Sequence, residues 1–239
     1  STPTFAEQAH CLEQSIAPMR LPGWHEGLLT VQDVSAQLAV AGLAVKPDMQ
    51  VLDMCAAPGG KSAQLAQTPL ESLVLLDIYE NRLQKISDLF ERLQLTSNHV
   101  RFISCDASTP LPAELPQLYH AILLDAPCSA TGIIRRQPDV KWHRQPKDID
   151  QLNTLQWRLL KNAWRYLKPG GRLLYSTCSV LKAENSLLLD SFLKQNTDAS
   201  ALPLDAKFGR VSGVGRQRLP GEDGGDGFFY ALLEKYSNE

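Results

Sequence analysis

Gln50-Val51-Leu52-Asp53-Met54-Cys55-Ala56-Ala57-Pro58-Gly59-Gly60-Lys61 reads as a strand, Gln50 to Met54, running into a glycine-rich turn at Ala57–Gly60 and then a helix from about Lys61 to Gln67. Glycine has no Cβ, so such a turn lets backbone approach a ligand closely. The N–H groups at a helix start favour a carboxylate or phosphate. A second strand, Leu73-Val74-Leu75-Leu76, stops at Asp77. That is near the roughly 20-residue separation at which an acid accepts hydrogen bonds from ribose hydroxyls in nucleotide-binding folds. Separately, the glycines could be a plain tight turn and Asp77 a helix cap. Within one strand-turn-helix-strand unit, they imply an adenosine-containing cofactor.

Outward from this unit, strands and helices alternate. Val34 to Val45 is a short apolar helix ended by Pro47-Asp48. Leu83, Ile86, Leu89, Phe90 and Leu93 fall at three- and four-residue spacing, one apolar helix face. Val100 to Ser104 reads as a third strand beside Asp106, and Ala121-Ile122-Leu123-Leu124 as a fourth, ending at Asp125. After a loop of about 20 residues, Leu152, Leu155, Leu159, Leu160, Ala163, Trp164 and Leu167 mark a long helix that Lys168-Pro169-Gly170-Gly171 terminates. Arg172 to Ser176 is a fifth strand, Glu184 to Lys194 a helix, and Phe228 to Leu233 a final strand. This order implies an α/β fold with a doubly wound, mostly parallel sheet and helices on both faces. Ligands then bind beyond the carboxyl ends of the strands. Cys55–Gly60, Asp77, Asp106, Asp125, Cys128 and Cys178 gather there.

Composition narrows the class. The 239 residues are 44% hydrophobic and 21% charged, as in an ordinary globular protein. The start lacks the basic-then-apolar layout of a secretory signal and has no initiator Met, so a processed chain or a piece of a longer one is expected. A net charge of -2 means that any nucleic-acid surface must be local. Five scattered cysteines without a C-x-x-C pair argue against a zinc site or a disulfide framework, and for reduced thiols in a cytoplasm. Cys11 and Cys105 read as small buried hydrophobes. A rival cofactor is ATP, because Cys55–Ser62 nearly fits the phosphate loop G-x-x-x-x-G-K-[ST], with Asp125 as a magnesium-binding acid. Against it, Cys55 replaces the first glycine and Pro58 lacks an N–H.

Three signatures then occur in order: Asp53 to Lys61, Leu124-Asp125-Ala126-Pro127-Cys128-Ser129, and Ser176-Thr177-Cys178-Ser179. From about Gly23 onward the chain resembles the RNA cytosine-C5 methyltransferases, the Nop2/Sun family. Ala130 to Trp142 is similar to one bacterial branch that acts on 16S ribosomal RNA. The resemblance implies a seven-stranded Rossmann-like sheet and S-adenosyl-L-methionine as cofactor. It implies that Cys55, Ala56, Ala57, Pro58, Gly59, Gly60 and Lys61 wrap the methionine end, that Asp77 holds the ribose, that Asp106 contacts the adenine side, and that Asp125 borders cofactor and base. It assigns Cys178 as nucleophile and Cys128 to product release, with Lys61 near the base, and no metal. Residues 1–28 are expected to be an extension or remnant of an RNA-binding domain, and residues 29–239 the catalytic domain.

The chemistry asks for such residues. Carbon 5 of cytosine attacks a sulfonium methyl poorly until a thiolate adds at carbon 6. Asp125, protonated or sharing a proton with ring N3, would stabilise the adduct. Spacing alone leaves the attacking cysteine open: the Pro-Cys loop of DNA cytosine methyltransferases would nominate Cys128, while the family resemblance favours Cys178. Between residues 135 and 147 stand Arg135, Arg136, Lys141, Arg144 and Lys147 against the single acid Asp139, with Trp142 and His143 among them. Such a mixture suits phosphate neutralisation and base stacking. Lys207, Arg210, Arg216 and Arg218 form a second acid-free run, which fits either RNA contact or a solvated loop. The remaining alternatives are C5 methylation of another RNA, a tRNA or 23S ribosomal RNA, and a non-catalytic RNA-binding module.

Overall fold

The structure is a computed structural model that describes residues 9–236, except residues 13 and 15. Residues 1–8 of the expected extension lie outside the described residues.

The strands are β1 (Gln50–Met54), β2 (Ser72–Asp77), β3 (Val100–Ser104), β4 (Tyr119–Asp125), β5 (Leu167–Thr177), β6 (Ala199–Leu202), β7 (Arg210–Ser212), β8 (Gly215–Arg218) and β9 (Phe228–Lys235). They form one sheet in the order β3-β2-β1-β4-β5-β9-β8-β7, and β6 also pairs with β9. β3, β2, β1, β4 and β5 run parallel, while the pairings of β9 with β5, β6 and β8, and of β7 with β8, are antiparallel. The expected seven strands are therefore nine. The extra pairings come from short polar segments such as Gly215-Arg216-Gln217-Arg218, which carry no strand signal in their side chains and gain their ladder from β9.

The helices are α1 (Val34–Leu43), α2 (Gly60–Leu65), α3 (Glu80–Arg92), α4 (Val140–His143), α5 (Pro146–Arg165) and α6 (Ser186–Gln195). Alternation along each strand sorts the core into two layers. Val51, Leu73, Leu75, Ala121 and Leu123 pack with residues of α1, α2 and α3. Leu52, Met54, Val74, Leu76, Ile122 and Leu124 pack with residues of α5 and α6. Burial on both faces explains why these strands read as continuous apolar runs.

Three boundaries differ from expectation for local reasons. α1 ends at Leu43, ahead of Pro47, because Ala44 turns left-handed with φ of 51°. α5 begins at Pro146, earlier than its apolar face, because Gln145 and Asp148 form a reciprocal cap and Pro146 needs no N–H partner there. Leu167, read as helical, belongs to β5 opposite Tyr119, and Lys168–Gly171 bulges out before Arg172 meets Ala121. Part of the expected N-terminal extension is tied to the domain: the Arg92 guanidinium lies 3.8 Å over the Trp24 ring and donates to the carbonyls of Trp24 and Leu29. Among the described residues no helix is long and apolar enough to cross a membrane.

The strand order reverses between β1 and β4, and the loops leaving their carboxyl ends flank that crevice.

Candidate active site

β1 delivers Cys55 in a left-handed conformation, φ 63°, and the chain turns through Gly59 at φ 99° into α2. A side chain at Gly59 would be strained by that φ and would press on Ile86. No side chain caps the start of α2, whose first helical bond runs from Ala63 N–H to the Gly59 carbonyl. N–H groups of this turn therefore remain for a ligand. Asp77 is buried at the end of β2, accepting from the N–H of Ala57 (3.3 Å) and of Tyr79 (3.1 Å). It is thus both the helix-start acid and a support for the glycine-rich turn. Its carboxylate still has lone pairs to offer. Ile78 and Tyr79, directly after it, are exposed. Asp106 is half-buried and accepts the Ser108 N–H at 2.9 Å, shaping its own loop.

Sequence reading gave Asp53 no role, yet it lies buried beneath the turn. Ser62 donates to it at 2.6 Å, while its other oxygen is buried without a partner. Burial pushes its carboxyl up to about 7, against the opposing Ser62 bond. In a phosphate loop the residue at Ser62 would face a magnesium ion; here it is fully buried and spent on Asp53, which removes the main support for the ATP reading.

The second half of the site comes from β4 and β5. Lys61 Nζ meets Asp125 Oδ2 at 2.7 Å, and Ser176 Oγ donates to Asp125 Oδ1 at 2.8 Å. Asp125 is thus an acceptor on both oxygens. Burial pulls the Lys61 ammonium down, but Asp125, Asp53 and Cys178 together outweigh it and the net shift is upward. Lys61 also lies 5.1 Å from the centre of the Phe228 ring at the start of β9.

Cys128 and Cys178, fifty residues apart in sequence, bring their sulfurs to 3.4 Å. The bond from Cys128 pushes the Cys178 thiol down, aided by Lys61 and opposed by burial and Asp125. The same bond, with burial, pushes the Cys128 thiol well up. The shared contact thus drives the two thiols in opposite directions. The two loops touch at Gly132, whose N–H donates to the Cys178 carbonyl at 2.8 Å; a Cβ there would collide with the Gly227 carbonyl. Of the other thiols, Cys105 is half-buried, whereas Cys11 is exposed and corrects its reading as a buried hydrophobe.

The basic runs separate. Arg136 lies against both oxygens of Asp226, and Arg135 donates to the Gly224 carbonyl at 2.7 Å, so both brace the loop that leads into β9. Lys141 sits 5.0 Å from the Trp142 ring, and Trp142 is 74% exposed. Arg144 donates to the Ser129 carbonyl at 2.9 Å, fastening this segment to the Cys128 loop. In the second run, Arg216 donates to the carbonyls of Leu204 and Gly209, Arg218 to those of Lys207 and Glu222, and Arg210 pairs with Glu222. Those guanidiniums serve the fold around β7 and β8.

The family model for 16S rRNA methyltransferase RsmB/F matches residues 40–234. Ribosomal RNA small subunit methyltransferase B of Xanthomonas campestris is 48% identical over 227 residues, which cover 95% of this chain and 52% of the relative. The protein of that name from Vibrio cholerae is 45% identical over 231 residues, covering 96% and 51%. The chain thus spans about half the length of the curated relatives it matches. Among solved structures, a methyltransferase homolog from Pyrococcus horikoshii superposes with a TM-score of 0.77 at 33% identity, covering 93% of this chain and 73% of that one. NSun6 from the same organism, solved with SFG, superposes at 0.83 and 26% identity, covering 94% and 57%. With the match running from within α1 to the end of β9, the chain belongs to the 16S rRNA methyltransferase RsmB/F family.

Proposed function

We propose that this chain transfers a methyl group from S-adenosyl-L-methionine to carbon 5 of a cytosine in 16S ribosomal RNA, through a transient bond between Cys178 and carbon 6 of the base. The observation that carries the reading is the pair of sulfurs 3.4 Å apart beside the Lys61–Asp125 ion pair, with only the Cys178 thiol pushed down.

The residues fit the cofactor. The uncapped start of α2 suits a carboxylate, Asp77 suits ribose hydroxyls, and the exposed Ile78 and Tyr79 beside it suit a purine face. Cys55, Ala56, Ala57, Pro58, Gly59 and Gly60 form the wall at the methionine end, and Asp106 borders the adenine side. When bound, the cofactor supplies an electrophilic methyl group on a sulfonium.

The chain's own residues do the rest. Cys178 adds to carbon 6 as a thiolate, which raises electron density at carbon 5. Asp125 accepts the hydrogen bond of the base's exocyclic amine or of protonated N3, and Lys61 holds it aligned until the base arrives. After methyl transfer a water takes the proton from carbon 5, the C5–H electrons form the ring double bond as the C6–S bond breaks, and the Cys178 sulfur leaves as a thiolate that the adjoining Cys128 thiol stabilises by a hydrogen bond. Lys141 and the exposed Trp142 offer a phosphate contact and a stacking face. Arg135 and Arg136, anchored to the 224–226 loop, direct their remaining N–H groups to the backbone of the RNA. The base is extruded to reach the cysteines where it is paired. In this reading residues 29–239 are the catalytic domain, residues 1–28 an extension of it, and the reaction is cytoplasmic.

Release of tritium from RNA carrying [5-3H]cytosine tests it. Release that requires S-adenosyl-L-methionine and disappears in Cys178→Ala is expected, with the modified base mapping to unmodified 16S RNA. Release that persists in Cys178→Ala would refute the assigned nucleophile.

A further inference from the structure

Glu184 has no part in the reaction just described, yet it is a fully buried carboxylate in the segment between β5 and α6. Its Oε1 accepts the Ser129 N–H at 2.8 Å and the Gln156 amide at 3.0 Å. Its Oε2 accepts the hydroxyls of Ser129 and Ser179, each at 2.5 Å. Among the described residues no Lys, Arg or His forms an ion pair with it. A buried carboxylate without a cation is expensive unless its oxygens are fully hydrogen-bonded. Here four neutral donors meet that demand.

The identity of those donors is informative. Ser129 directly follows Cys128 and Ser179 directly follows Cys178. One side chain therefore grips the residue after each cysteine, one on the loop leaving β4 and one on the loop leaving β5. Smaller links run the same way: Thr131 Oγ1 lies 3.1 Å from Ser179 Oγ, and Asn185, the next residue, donates to the Ser179 carbonyl at 2.9 Å. Glu184 is itself held, its carbonyl accepting the buried Tyr175 hydroxyl at 2.8 Å.

We propose that Glu184 is a positioning residue: it clamps the two cysteine-bearing loops together and so sets the approach of the Cys128 and Cys178 sulfurs. The proposal rests on the reading of those cysteines as a working pair. It concerns shape, not charge. Glutamine can put its carbonyl where the two obligate donors, Ser129 N–H and the Gln156 amide, point. Its NH2 then donates to the two serine hydroxyls, which can turn to accept. Alanine leaves those donors unpaired and the loops unlinked.

Sulfur cross-linking in the full chain reads this geometry without any methyl transfer. Diamide takes two electrons and two protons from the thiols of Cys128 and Cys178, becoming a hydrazine as the S–S bond forms; mass mapping identifies the joined peptides. Glu184→Ala should slow this cross-link at least about tenfold and lower kcat for methylation of 16S RNA about 100-fold, the cost of a small misplacement of reacting groups. KM for S-adenosyl-L-methionine and for RNA should move less than about threefold, since uniform binding is untouched. Glu184→Gln should restore both rates to within about threefold of the parent. If Glu184→Ala does not fold, Ser179→Ala removes one grip alone and should slow cross-linking severalfold. Cross-linking at the parent rate in Ser179→Ala or Glu184→Ala overturns the proposal. So does loss of cofactor affinity in step with kcat, or a glutamine variant as impaired as alanine. A parent chain that cross-links but never methylates would refute the proposed function and leave the clamp standing.

Discussion

Cys55 and Cys178 both follow the carboxyl end of a parallel strand on the same edge of the sheet, yet their surroundings drive their thiols in opposite directions. Burial pushes Cys55 far up, reinforced by Asp125, Asp77 and Asp53. The Cys128 bond pushes Cys178 down, with Lys61 adding its charge. The β1 loop therefore surrounds its thiol with burial and acids that disfavour a sulfur anion, while the β5 loop gives its thiol a neighbouring sulfur and a lysine that favour one. Position at a strand end brings a residue to the crevice. The neighbours it meets there decide its chemistry.

The sharpest way to break this contrast is to delete each thiol. Cys178→Ala should cost about 10^4-fold or more in single-turnover methylation, as loss of a nucleophile does, whereas Cys55→Ala should change it less than about tenfold. Equal losses would show that the two loops are not chemically distinct. Next in size, Lys61→Met removes the cation that pairs with Asp125 and helps Cys178 ionise. A fall in kcat of about 100-fold is expected, with the alkylation of Cys178 by iodoacetamide moved to higher pH; an unmoved alkylation profile would remove Lys61 from the account.

Cys128→Ala tests the leading influence on Cys178. Its alkylation profile should also move upward, and a covalent RNA–protein complex resistant to detergent should accumulate because release is slowed. A profile that moves downward would reverse the assigned roles of the pair.

The smallest effect concerns Asp53. Its carboxyl is raised to about 7 in the folded chain, from about 4 in an unfolded one, so the folded state holds more protons across that window. Stability from this group is therefore greatest at low pH and falls as pH climbs from about 4 to 7. Asp53→Asn should gain in Tm relative to the parent as pH rises through that range, and a gap independent of pH would contradict the burial argument.

Much of this was legible in residues 50–77, where strand, turn, helix and strand follow one another without a long-range partner. Asp77, Asp125, Cys128 and Cys178 could be singled out because they follow strands that stop abruptly, whereas Lys61 came only from the family resemblance. The basic stretches could not be told apart in the same way. Arg216 and Arg218 look as free in sequence as Lys141, but their guanidiniums turn inward onto the carbonyls of Leu204, Gly209, Lys207 and Glu222. Glu184 looked like the first residue of a helix. Only its six-residue distance from Cys178 hinted at a link to the site.

By itself the sequence determined the parallel half of the sheet and the glycine-rich turn after β1, because apolar periodicity and glycine placement act over a few residues and need no distant partner. Tertiary structure alone decided the nine-stranded sheet, the meeting of Lys61 with Asp125, the approach of the two sulfurs and the grip of Glu184 on both their loops. Ionisation and alignment depend on what lies a few ångströms away in space, and only the packed sheet sets that neighbourhood.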